Sequence, residues 1–159
     1  MREIKFRAKN LYEDYLRINK DDEELTKIGP GQIWVYGGYA EIDGRGFIFP
    51  EGKTHFGHGD YWTDDDVLDI PIVDKNTLGQ FTGLTDKNGR EIYEGDVFLD
   101  TEYYEPTYRK IVYRNGQWEA VASDGIWFPL LKDQEPLSDE LRHIEVIGNI
   151  HDNPELLKQ

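Results

Sequence analysis

Residues 33–49 read IWVYGGYAEIDGRGFIF: three short apolar stretches, Ile33–Tyr36, Tyr39–Ile42 and Phe47–Phe49, interrupted at Gly37-Gly38 and Asp43-Gly44. Such pairs accept the positive φ that two-residue hairpin turns demand, so both read as reversals and the segment reads as a β-meander. The same grammar returns downstream at Asp86-Lys87-Asn88-Gly89, at Glu94-Gly95-Asp96, and at Asn115-Gly116, the strongest hairpin signal in the chain. Between these turns lie Glu91–Tyr93, Val97–Leu99, Tyr108–Tyr113 and Gln117–Ala122, followed by Ile126–Leu131 and His143–Ile150. Leu137–Leu141 reads as a short helical turn, and Pro71 within VLDIPIV marks an edge or a bulge. The expected class is all-β. A change of character near residue 77 divides the chain into an N-terminal β-meander or barrel-like module, 1–77, and a small SH3-like barrel, 78–159.

Composition narrows the chemistry. The 159 residues hold no cysteine, which removes disulfide frameworks, thiol catalysis and Cys-based zinc sites. Against 18 Lys and Arg stand 32 Asp and Glu, a formal charge of −14 that repels phosphate at long range and argues against direct nucleic-acid binding. Two clusters are candidates for a local basic patch: Arg2, Lys5, Arg7 and Lys9, and Arg109, Lys110 and Arg114. Both read more simply as solvated strand positions. No apolar run approaches the ~20 residues of a membrane-spanning helix. Met1–Lys9 alternates charge with Ile4, Phe6 and Ala8, strand grammar unlike a signal peptide. The expected compartment is a cytoplasm.

Catalytic signatures are sparse. The only serines are Ser123 and Ser138, neither in a G-x-S-x-G elbow, and no G-x-x-x-x-G-K-[ST] phosphate loop exists. His55, His58 and Asp60, with Asp64, Asp65 and Asp66 beyond, supply nitrogen and oxygen donors within a short span. Gly57 and Gly59 make that segment costly to order, so it reads as an exposed loop in preference to a metal site. Aromatics are numerous. Trp34 and Tyr36 on one strand, and Tyr93, Tyr113 and Trp118 lining a groove on the second module, are the candidate interaction residues.

Three stretches resemble the YopX family of phage and prophage proteins: the opening MREIKFRAKN, Leu78–Val97 (LGQFTGLTDKNGREIYEGDV), and Ile144–Leu157 (IEVIGNIHDNPELL). WVYGGY at Trp34–Tyr39 also fits the family's first half. The chain departs from the pattern at His151, where the family favours an aromatic, and 55–60 falls in a variable part. The resemblance implies a two-part β protein with an SH3-like second barrel, encoded by a phage or integrated element. It brings no reaction, cofactor or catalytic residue with it. Turn chemistry accounts for the long motif: Gly89 and Gly95 sit where φ is positive, Asp86 and Asp96 accept local N–H groups, Ile92 and Val97 point inward, and Tyr93 lies at the rim.

The expected function is therefore a non-enzymatic interaction or assembly module without cofactor. Its expected partners are its own copies and a host or phage protein, with no membrane involved. The alternative is an acidic accessory protein that mimics nucleic acid to inhibit a host DNA-binding enzyme.

Overall fold

The computed structural model describes residues 4–11, 33–50, 70–101, 105–132, 135–136 and 144–158. The described elements are β1 (Phe6–Asn10), β2 (Trp34–Ile42), β3 (Arg45–Pro50), β4 (Ile72–Thr85), β5 (Glu91–Tyr93), β6 (Asp96–Asp100), β7 (Thr107–Arg114), β8 (Gln117–Ala122), β9 (Trp127–Pro129), β10 (Leu131–Lys132), β11 (Glu135–Pro136), β12 (Val146–Asn149) and a 3-10 helix, Pro154–Lys158. The fold is all-β. Contacts divide it into two units, one from Ile4 to Gln80 and one that holds the chain from Phe81 onward. The helical turn expected at 137–141 lies outside the described residues.

In the first unit β1 pairs with both β2 and β4, while β3 pairs with β2 and β4, all antiparallel. Four strands thus close into a ring. Its interior holds Ala8, Val35, Ile48 and Val73, against which Phe6, Ile33, Tyr39 and Leu78 pack. Asp43-Gly44 makes the β2–β3 reversal with φ of 50° and 78°, both positive, as a type I′ turn requires. Gly37-Gly38 makes no turn. β2 runs straight through it, with Gly37 opposite Phe6 of β1 on one side and Pro50 of β3 on the other. Its φ is 151°, and an added Cβ would collide with the Phe49 carbonyl oxygen. The glycine serves close backbone approach where two neighbouring strands crowd β2.

β4 likewise continues through Asn76 and Thr77, interrupted by a register shift against β1 between the pairs Arg7–Gly79 and Lys9–Asp74. Within that bulge the Asn76 N–H donates to Asp74 Oδ1, the Thr77 hydroxyl donates to the Asp74 carbonyl, and Lys9 N–H donates to Thr77 Oγ1. Pro71 precedes the strand, its carbonyl accepting from Ile48 N–H at 3.1 Å.

The second unit contains an antiparallel sheet in the order β12-β6-β7-β8-β9. Asn115-Gly116 forms its β7–β8 turn, with φ of 54° and 82°. Ile92, Phe98, Ile111, Trp118, Ala120, Leu130, Ile144 and Val146 build its core with Leu84. β5 pairs with the end of β4, Phe81 opposite Tyr93. The described pairings leave the five-stranded sheet open, so ring closure belongs to the first unit and is not found among the pairings of the second. No helix among the described residues is long and apolar enough to cross a membrane.

Candidate functional site

The two motif stretches of the second unit meet each other. Asp86 opens a tight turn and is buried; its Oδ1 accepts from Asn88 N–H at 2.8 Å and Arg90 N–H at 2.9 Å. Gly89 follows with φ 79°, a conformation that an L side chain resists. Asp86 Oδ2 reaches sixty residues along the chain to accept Val146 N–H at 3.1 Å. Arg90 donates from Nη1 to the Val146 carbonyl at 3.3 Å, and Lys87 N–H donates to the Ile144 carbonyl at 3.0 Å. The Lys87 ammonium also pairs with the Glu145 carboxylate.

A second set of contacts joins the β5–β6 turn to the end of β12. Asp96 Oδ2 caps Tyr93 N–H at 2.8 Å, and Gly95, φ 82°, takes its bond partners from Ile111 and Ile150. Asn149 Oδ1 accepts from the backbone N–H of both His151 and Asp152 at 2.9 Å, while its amide donates to Asp152 Oδ2 at 2.7 Å. Gly148 leaves room for Asn153, whose Cγ would lie 2.9 Å from an added Cβ. The asparagine returns the space by closing the turn, its N–H donating to the Asn149 carbonyl. These polar side chains are bound mainly to main chain, which is what a scaffold asks of them.

The expected aromatic groove does not form as a set. Tyr93 is 2% exposed, packed on Phe81 with ring centroids 5.4 Å apart, its hydroxyl donating to Glu91 Oε2. Trp118 is 1% exposed and belongs to the core. Tyr113 lies opposite it, centroids 4.8 Å apart, and of the three is the one that meets solvent, at 52%. Their placement follows from pairing: Tyr113 and Trp118 share the inward face with Ile111 and Ala120, but Tyr113 stands at the strand end. In the first unit Trp34 is half-buried with Arg7 and Lys9 over its ring, and Tyr36 is exposed.

The later cation cluster is dispersed. Arg109 faces inward in an ion pair with Asp100 at 2.6 Å. Arg114 leans outward across Glu119, which is wholly buried, and onto the ring of Trp127. Alternation along β7 places Arg109 on the face opposite Lys110 and Arg114, so the three make no common patch. Arg7 and Lys9 do share β1, with Lys5 just before it, although Arg7 is buried; Arg2 lies outside the described residues. On the ring's surface Tyr39 donates to Glu41, which also pairs with Lys75 at 3.1 Å. Desolvation, then the Glu41 charge and its hydrogen bond, push the Tyr39 phenol above its ordinary value near 10.

His55, His58 and Asp60 lie outside the described residues. Among those described, no three His, Asp or Glu side chains gather into a ligand set. Sequence reasoning also missed the long reach of Asp86 and Arg90. An aspartate at a turn start is explained locally, and nothing local announces a partner on β12.

A family model described as YopX protein matches residues 51–158. Two of the resembling stretches, Leu78–Val97 and Ile144–Leu157, fall inside that range; the opening and Trp34–Tyr39 precede it. No curated protein matches the chain. Among solved structures it is similar to the crystal structure of protein EF1440 from Enterococcus faecalis, at 21% identity over 99% of each chain and a TM-score of 0.44.

Proposed function

The chain belongs to the YopX protein family, and from that premise we propose a protein of phage or prophage origin that works by binding and not by catalysis: an assembly module. What carries this reading is the use made of the polar side chains in the two motif stretches. Asp86, Arg90, Asp96, Asn149 and Asn153 all hold backbone within one unit, a role that needs no substrate. The surface instead offers rings. Tyr36 and Tyr113 are each more than two-fifths exposed, as is Trp127, and aromatic side chains of this kind anchor protein contacts.

The partner proposed first is another copy of the chain, in the cytoplasm of a bacterial host. Ring closure already supplies the first unit with an interior, so the contact draws on outward residues, Tyr36 with the neighbouring edge of Trp34. A stable association of this kind buries about 1,000 Å² or more in total. Light scattering at micromolar concentration is expected to return a multiple of 18.6 kDa, and Tyr36→Ala to lower it. A monomer mass across that range, with no host or phage protein retained by the immobilised chain, removes the assembly reading.

Catalysis is tested separately. A screen against phosphoesters, esters and peptides with added divalent metal is expected to give no turnover. Turnover abolished by His58→Ala would move the function to the 55–66 segment. Duplex DNA at physiological salt is likewise expected to remain unshifted, the net charge opposing phosphate within and beyond the ~8 Å screening length.

A further inference from the structure

β12 is the end strand of its sheet, and the backbone groups that an end strand turns away from its neighbour form a template on which another strand can pair. Here the Ile144 carbonyl, just before the strand, and both backbone groups of Val146 are held by one turn, while those of Asn149 are held by Asn153. The Ile144 carbonyl accepts from the Lys87 backbone, as it would from an adjoining strand. Val146 N–H and C=O are held differently, by the Asp86 carboxylate and the Arg90 guanidinium. Two side chains stand where a strand's backbone would. The opposite edge is protected by other means: β9 ends in Pro129, which has no N–H to offer. A proline cannot be withdrawn, whereas a turn held by side chains can.

From this we infer that the turn Asp86–Arg90 is a removable guard on the β12 edge, and that the occupant it excludes is the same edge of a second copy. Antiparallel pairing about a two-fold axis makes the edge self-complementary, since each Val146 supplies both a donor and an acceptor. Ile147, 44% exposed on the same strand, adds apolar surface beside the axis. The guard gives the long family motif a purpose beyond turn formation: it keeps this margin of the sheet closed, so that association proceeds through chosen side-chain surfaces.

Two variants of the full chain test this. Asp86→Ala removes the acceptor for Val146 but also those for Asn88 and Arg90, so its turn can fail. Lys87→Glu combined with Arg90→Ala leaves these local bonds in place. It sets a second carboxylate against Glu145 and frees the Val146 carbonyl. Each variant is followed by hydrogen exchange at the Val146 amide in dilute and concentrated solution, with mass by light scattering and near-ultraviolet dichroism reporting the Trp118 core. In dilute solution the amide is expected to exchange roughly tenfold faster than in the parent chain, because Asp86→Ala removes its acceptor and the double variant removes the Arg90 bond that helps hold the turn on the strand. On concentration, protection returns and the mass doubles relative to the parent under the same conditions. The difference at one amide separates this contact from any association the parent makes elsewhere. Dilute exchange as slow as the parent's overturns the guard, and fast exchange that no concentration slows overturns the occupant. If Asp86→Ala loses its dichroism, the double variant alone decides.

Discussion

Asp100→Ala is expected to lower the unfolding free energy by about 3–5 kcal/mol, because it strands a buried guanidinium. Arg109 and Asp100 meet at 2.6 Å with side chains only 3% and 5% exposed. The guanidinium also donates to the Ile126 carbonyl at 2.9 Å and lies 5.1 Å from the centre of the Phe128 ring. It is therefore fixed in place, with no room to carry its charge to water once the carboxylate is gone. Arg109→Ala should cost a similar amount, leaving the carboxylate behind. Replacing both, Asp100→Leu with Arg109→Met, should recover most of the loss, since a buried pair often contributes little beyond what packed apolar groups would. Urea unfolding followed by tryptophan fluorescence reads all three. Single-variant losses under about 1 kcal/mol would mean that water reaches the pair.

That pair illustrates what a reading of the sequence reaches and what it does not. Asp43-Gly44, Asp86 to Gly89, Gly95 and Asn115-Gly116 were legible because a residue forced to positive φ declares its turn locally. The strands between them followed, and so did the all-β class. Arg109 was grouped with Lys110 and Arg114 by proximity in sequence, yet strand alternation turns it inward beside Ile111, and Asp100 on β6 accepts it. Tyr93 and Trp118 met the same fate. A ring on a strand faces core or solvent according to which neighbours pair with that strand and how far they extend. The Asp86–Val146 contact spans sixty residues and has no local signature at either end. Long-range pairing is where single-sequence reasoning stops.

Gly37 is the sharpest instance, because its chemistry fits two structures equally well. Gly-Gly between apolar stretches satisfies a hairpin turn and satisfies equally a strand that another backbone approaches closely. The deciding fact is the carbonyl of Phe49, brought alongside by the β2–β3 register in which Gly38 opposes Phe49 and Gly37 opposes Pro50. An alanine at 37 would drive its Cβ into that oxygen, and the φ of 151° would add its own strain. The carbonyl is backbone and cannot step aside without moving β3. Gly37→Ala is accordingly expected to cost about 2–5 kcal/mol, the sum of a strained conformation and an overpacked contact. Gly38→Ala is the matched control: nothing lies within 4 Å of the added carbon, so stability should change by no more than about 0.5 kcal/mol. Thermal unfolding of the two variants, read through tryptophan fluorescence, compares them directly. Equal losses would mean that β2 tolerates a side chain where it passes between β1 and β3, and that ring closure does not depend on the glycine. A loss confined to Gly37 places the closure of the four-stranded ring on one missing methyl group, because the same residue is paired to β1 on one side and to β3 on the other.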